Sequence, residues 1–174
     1  MTLALKLVTL AAVTLFALPA NAAFLGDGPL AELVESPLVL PAPPAMDKLL
    51  RYEVSPIATM EFAVDARSVS VTDRVVVRFT SVIRSPSGAT NISHEGIRCD
   101  TLEKKLYATG RANGSWTPAS DDAWRPIRDT GANRYHAILV TDYFCGAGTP
   151  AGSAENIVDR LRRKKPLPHP GQWQ

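Results

Sequence analysis

Residues 62–99 read FAVDARSVSVTDRVVVRFTSVIRSPSGATNISHEGIRC, and this stretch decides the fold. At its centre, in residues 74–84, Val75, Val77, Phe79 and Ile83 fall on one face of an extended chain. Arg78, Thr80 and Arg84 fall on the other. Successive side chains of a strand point to opposite faces, so this alternation predicts a half-buried strand. Ser85-Pro86-Ser87-Gly88 follows at once. Proline presets φ at the first central turn position and glycine accepts positive φ, so the chain reverses there. Residues 89–99 return antiparallel, Asp100-Thr101 turns the chain again, and residues 102–109 come back a third time. Residues 62–65 and 69–71 lead in, with Thr72-Asp73 as the hinge. The expected fold class is α+β. It is an antiparallel β-meander of about four to six strands, with one or two short helices packed on it and one disulfide.

Downstream, residues 110–122 are polar and read as a long loop bracketed by Trp116 and Trp124. Trp116, in that loop, is the candidate recognition side chain. Trp124-Arg125-Pro126-Ile127 reads as a short edge strand, because proline in a sheet is confined to edges. Asn133 is placed to cap a helix running to about residue 145, with Tyr135, Ile138, Leu139 and Tyr143 at near-helical spacing and Gly146 as the stop. Ser153 is placed to cap a second helix over 153–163, with Ile157, Val158 and Leu161 as its apolar stripe. Residues 164–174, with Pro166, Pro168 and Pro170, read as disordered.

Upstream, residues 1–22 have one charge, Lys6, then an apolar run over 7–18, then Ala20-Asn21-Ala22. That layout is a secretory signal peptide with cleavage expected before Ala23; the run is too short for a membrane span. No cysteine lies near the cleavage site, so a lipid-anchored N-terminus is not expected. Residues 24–56 hold Pro29, Pro37, Pro41, Pro43, Pro44 and Pro56, which exclude a long helix. The apolar residues among them leave docking on the domain or on a partner open. The expected organisation is therefore a signal peptide at 1–22, a Pro-rich segment at 23–56 and a β-rich domain at 57–148. A short helix and a basic, Pro-containing tail follow at 149–174.

The whole chain has 19 basic and 17 acidic residues. Without Lys6 the balance is +1, which argues against a general nucleic-acid binder. Five of the cations, Arg160, Arg162, Arg163, Lys164 and Lys165, crowd together near the C-terminus. They are the candidate contact for an anionic lipid surface, with a solvated helix end as the alternative. The two cysteines, Cys99 and Cys145, form an even count in a chain read as exported, and so predict a disulfide.

Motifs of catalysis are missing from the sequence. His94, His136 and His169 have no metal-ligand spacing, and there is no G-x-S-x-G, P-loop or G-x-G-x-x-G. Ser93-His94-Glu95 is the nearest approach to a reactive cluster. Neighbouring strand residues point to opposite faces, so the three do not converge as a triad. Ser93 and Glu95 share a face, and Glu95 is expected opposite Arg78 or Lys105. The reading is a non-enzymatic binding or structural module with no catalytic, cofactor or metal residues, with an enzyme of unrecognised site as the less favoured alternative. Its partner is an unnamed envelope protein or an anionic lipid surface.

Several blocks carry a family resemblance: Phe62-Ala63-Val64-Asp65, Val76-Val77-Arg78-Phe79, Ser85-Pro86-Ser87-Gly88 and Glu95-Gly96-Ile97-Arg98-Cys99. Tyr107-Ala108, Trp124, Ile127, Tyr135 and Tyr143-Phe144-Cys145 continue the pattern. Over residues 51–145 the chain resembles the cryptic neisserial protein-like family of exported bacterial proteins. The resemblance implies association with the cell envelope and supplies no catalytic residues. More loosely, the layout is similar to surface-adhesin protein E domains, which implies an adhesin-like alternative. The long Pro-rich segment and the basic tail depart from that second pattern.

Overall fold

The alternating stretch forms the centre of a sheet. The computed structural model describes residues 33–131 and 134–168. Among them are β1 (Leu49–Tyr52), β2 (Glu61–Asp65), β3 (Ser70–Thr72), β4 (Val76–Arg84), β5 (Thr90–Arg98) and β6 (Glu103–Gly110). Shorter pieces follow: β7 (Trp116–Pro118), β8 (Arg125–Pro126), β9 (Cys145–Gly146) and β10 (Thr149–Pro150). The main sheet runs β1-β2-β4-β5-β6-β7, with β3 also on β4 and β8 also on β6. Every pairing in it is antiparallel. The expected four to six strands become ten, because five of these strands are only two or three residues long. Pieces that short carry no alternation to read.

The β4–β5 hairpin closes as the turn residues dictate. Gly88 takes φ +88 and its N–H bonds to the Ser85 carbonyl at 2.9 Å. β4 itself is not half-buried: residues 76–82 are buried on both faces. Arg78, assigned by alternation to the open side, is 5% exposed. Both faces of the sheet are covered, by different materials.

One cover is helical. α1 (Arg134–Ile138) runs on into a π-helical stretch, Leu139–Phe144, burying Leu139, Val140, Tyr143 and Phe144. Phe144 meets Phe79 edge-on, with ring centroids 5.0 Å apart. The predicted cap, Asn133, lies outside the described residues. Cys145 leaves the helix in extended conformation and joins Cys99, just beyond β5, in a disulfide with Cα atoms 5.4 Å apart. α2 (Ala154–Arg162) starts at Ser153, whose hydroxyl and the Asn156 side chain form a reciprocal capping box. It adds Ile157 and Leu161 to the core.

The other cover is the Pro-rich strap, residues 33–44. It docks on the domain: it crosses the sheet and is held by polar bonds, including Arg78 to the Ser36 and Pro37 carbonyls. A short 3₁₀ turn, Met46–Lys48, then leads into β1, which opens the sheet before residue 57. The tail also departs from expectation. Residues 164–168 are placed, and the Leu167 N–H bonds to the Asp142 carbonyl at 2.7 Å; residues 169–174 lie outside the described residues. Among the described residues, no helix is long and apolar enough to cross a membrane.

Candidate functional site

Glu95 sits on β5, 5% exposed, paired across the sheet with Phe79 and Leu106. That register puts it on the helix face, away from Arg78 and Lys105, so neither is its partner. Its partners come from α1. His136 Nε2 lies 2.5 Å from Glu95 Oε2, and the Tyr135 hydroxyl donates to Oε1 at 3.2 Å. The Ser93 hydroxyl donates to Oε1 from two residues up the strand. Lys104 Nζ, on β6, stands 3.4 Å from His136 Nδ1.

Burial alone would raise the Glu95 pKa, but the bond and charge of His136, with the Ser93 and Tyr135 hydroxyls, outweigh it. They hold the carboxyl below its ordinary 4.5. Burial, then the Glu95 charge, pushes the Tyr135 phenol up. Burial pulls the Lys104 amine down. Glu95 is therefore a carboxylate with three donors aimed at it, an arrangement that makes a buried charge tolerable.

An open cleft of about 350 Å³ lies over this group, with Ser93, Glu95 and His136 in its lining and Asn91, Lys104 and Arg125 around it. The order of groups limits its chemistry. In an acyl-transfer triad the imidazole touches the nucleophilic hydroxyl and the carboxylate touches the imidazole. Here the carboxylate stands between Ser93 and His136. The Ser93 proton is donated to the Glu95 carboxylate and not to the imidazole. Among the described residues, no group of three or more His, Cys, Asp or Glu side chains could hold a metal.

His94 points to the opposite face. It is buried, 3.2 Å from the Thr80 hydroxyl, beside the rings of Tyr107 and Trp116. That face is organised by Glu35 of the strap. Its carboxylate accepts from Lys105 Nζ at 2.8 Å, Tyr107 at 2.8 Å, Trp124 Nε1 at 3.0 Å and Arg78 at 3.5 Å. Burial would raise the Glu35 pKa, yet the Lys105, Tyr107 and Trp124 bonds hold it below 4.5. Gly96 is required beneath: a Cβ there would sit 2.7 Å from the Tyr107 hydroxyl and 3.1 Å from Trp124.

The sequence-predicted sites fare unequally. Trp116 is half-buried on β7, and its Nε1–H donates to the Pro41 carbonyl at 2.8 Å. It clamps the strap, whereas a flexible recognition loop was expected, because β7 pairs with β6. Cys99 and Cys145 pair as predicted. Arg160 turns inward to the Tyr143 and Ala151 carbonyls. Arg162, Arg163, Lys164 and Lys165 are exposed, with Arg163 also paired to Asp159 at 2.9 Å.

Sequence reasoning missed His136 and Glu35. His136 had a signal: with Leu139, Val140 and Tyr143 it completes an i, i+3, i+4, i+7 stripe, which marks it as facing the core. Glu35 had none, since all its partners lie more than 40 residues away.

The model of the CNP1-like family matches residues 31–162. The match takes in both Glu35 and the Glu95–His136 pair, and the chain belongs to the CNP1-like family. No curated protein and no solved structure matches it.

Proposed function

We propose that this member of the CNP1-like family is an exported cell-envelope protein acting as a non-catalytic binding module. Its recognition site is the cleft over Glu95 and His136. The observation that carries this reading is the order Ser93, Glu95, His136, which gives a fixed polar floor and keeps the hydroxyl off the imidazole. A cleft of this volume with a few convergent polar groups suits a small ligand. The signal-like sequence of residues 1–22 and the disulfide are in keeping with export.

The test is ligand-observed NMR on the purified mature chain. The panel holds phosphorylated glycerol, peptidoglycan fragments and anionic amphiphiles. At least one compound should bind, be recovered chemically unchanged, and lose binding in Asn91→Trp, which fills the cleft from its exposed rim. Turnover of a bound compound, or equal binding by Asn91→Trp, overturns the reading. Export is checked by N-terminal sequencing of the stable envelope-fraction product, expected to begin at Ala23. A product beginning at Met1 contradicts it.

A second reading follows from the exposed run Arg162, Arg163, Lys164 and Lys165 at the C-terminal end of α2. It supports loose attraction to anionic lipid, weakening as salt shortens the Debye length to about 8 Å. Truncation before Arg160 is a poor test, because it removes buried Leu161. Replacing Arg162, Lys164 and Lys165 with glutamine should lower cosedimentation with anionic vesicles. Equal, salt-independent sedimentation would leave these residues as a solvated helix end.

A further inference from the structure

The cleft of about 350 Å³ has a divided floor. Alternation puts Asn91, Ser93 and Glu95 on one face of β5, and Thr109 of β6 lies opposite Ser93. Tyr135 and His136 close the Glu95 end, whereas Asn91 and Thr109 are exposed. Their amide and hydroxyl have no side-chain hydrogen-bond partner among the described residues. Beside this polar row, opposite Glu95, stands Leu106, 36% exposed. The charge on the walls is already matched. Glu95 is met by His136, Tyr135 and Ser93. Lys104 Nζ stands 3.4 Å from His136 Nδ1 and in the field of the Glu95 carboxylate. Lys105 is held by Glu35 at 2.8 Å, and Arg125 by Asp121.

We infer that the cleft takes a neutral sugar, its hydroxyls on Asn91, Ser93 and Thr109 and a C–H face of its ring on Leu106. The inference rests on the binding-module reading and names the ligand class for it. A charged ligand either breaks one of the existing pairs or is desolvated without a counter-charge, and both are unfavourable. A wholly apolar ligand strips water from the Asn91 amide and the Thr109 hydroxyl and returns no hydrogen bond. Sugar hydroxyls both donate and accept, so they match an amide and two hydroxyls without bringing a charge; the Ser93 oxygen, whose proton goes to Glu95, still accepts. A pyranose carries its hydroxyls at the edge and apolar C–H groups on its faces. That is the same division as the polar row and Leu106 on the floor. The volume lies within the roughly 300–1,000 Å³ typical of small-molecule sites.

The experiment is ligand-observed NMR on the mature protein with N-acetylglucosamine and glucuronamide, their charged counterparts protonated glucosamine and glucuronate, and cyclohexanol. At least one neutral sugar is expected to bind, its charged counterpart about tenfold or more weaker, and cyclohexanol not at all. Leu106→Gln should weaken the bound sugar by about fivefold or more with the melting temperature unchanged, since Leu106 is already exposed in the folded chain. Asn91→Ala, on the exposed rim, should weaken it to a similar extent. A charged counterpart that binds as well as its neutral form overturns the inference. Sugar binding that survives either substitution lies elsewhere and overturns it too. If the neutral sugars fail while phosphorylated glycerol or an anionic amphiphile binds in an Asn91→Trp-sensitive way, the ligand class is wrong and the binding module stands. If nothing binds, both fall.

Discussion

The two faces of the sheet are covered by different physics. On the helix face, Phe79, Leu139, Phe144, Ile157 and Leu161 form an apolar core, and a disulfide ties the end of the helix to the end of β5. On the strap face, Glu35 with its four donors, the Trp116–Pro41 bond and the Arg78 bonds to Ser36 and Pro37 hold an extended, proline-rich chain. Area burial is forgiving of detail and stabilises whatever packs. Hydrogen bonds contribute a net of about 1 kcal/mol each and depend on every partner being present. The helix face is thus the durable half, and the strap face can be released by a single change.

The largest expected effect breaks the durable half. Replacing Cys99 and Cys145 with alanine opens a crosslink spanning 46 residues. On the chain-entropy model the loss is about 4 kcal/mol, or roughly 10 °C in melting temperature for a chain of this size. Thermal melts with and without reductant check it. A shift under 2 °C would mean that apolar packing alone sets the strength of this half.

The strap should respond to one charge. Glu35→Gln removes the carboxylate that Lys105, Tyr107, Trp124 and Arg78 share, and leaves them buried around a weaker acceptor. The expected cost is about 2–3 kcal/mol. Hydrogen exchange should rise in residues 33–44 and in β7, while β4 and α2 stay protected. Uniform deprotection would mean the two halves are not separable.

This contrast also governs what was legible in the sequence. The apolar half was readable: the alternation over residues 75–83, the turn at Ser85-Pro86-Ser87-Gly88, the capped helix at Ser153 and the cysteine pair all follow from local pattern. The second helix was found because its stripe and its cap lie within ten residues of each other. The strap half was not readable, because proline content gives only what a segment does not form. Where it docks depends on a carboxylate and donors from β4, β6 and the residues around β8. The candidate site fell between the two: Ser93 and Glu95 were placed on one face by alternation, but His136 reaches Glu95 only through tertiary packing. The expectation of an arginine or lysine opposite Glu95 failed because the irregular pairing at His94/Glu95 and the cover by α1 fix its surroundings, and local charge pairing does not.

Acid should loosen the strap face by a smaller amount. Burial, then the Arg78 cation, lowers the His94 pKa from 6.5 to about 4. The unfolded chain takes up this proton below pH 6.5, and the folded chain only below about 4. Stability is therefore full above 6.5 and falls as pH drops from 6.5 towards 4. By pH 5 the loss is on the order of 1–2 kcal/mol. Glu35 and Glu95, held below 4.5, add their losses only below that value. His94→Gln should flatten the melting temperature between pH 6.5 and 5; an unchanged slope would assign it to another group.

The claim that the helix face carries recognition while the strap face is structural is tested most directly by amide chemical-shift mapping of the mature chain titrated with the compound of the panel that binds. The account predicts perturbations at Asn91, Ser93, Glu95, Tyr135 and His136, with Glu35, Trp116 and the Trp124 indole unmoved. Perturbations centred on Glu35, Trp116 and Trp124, with the Glu95–His136 cleft silent, would contradict it.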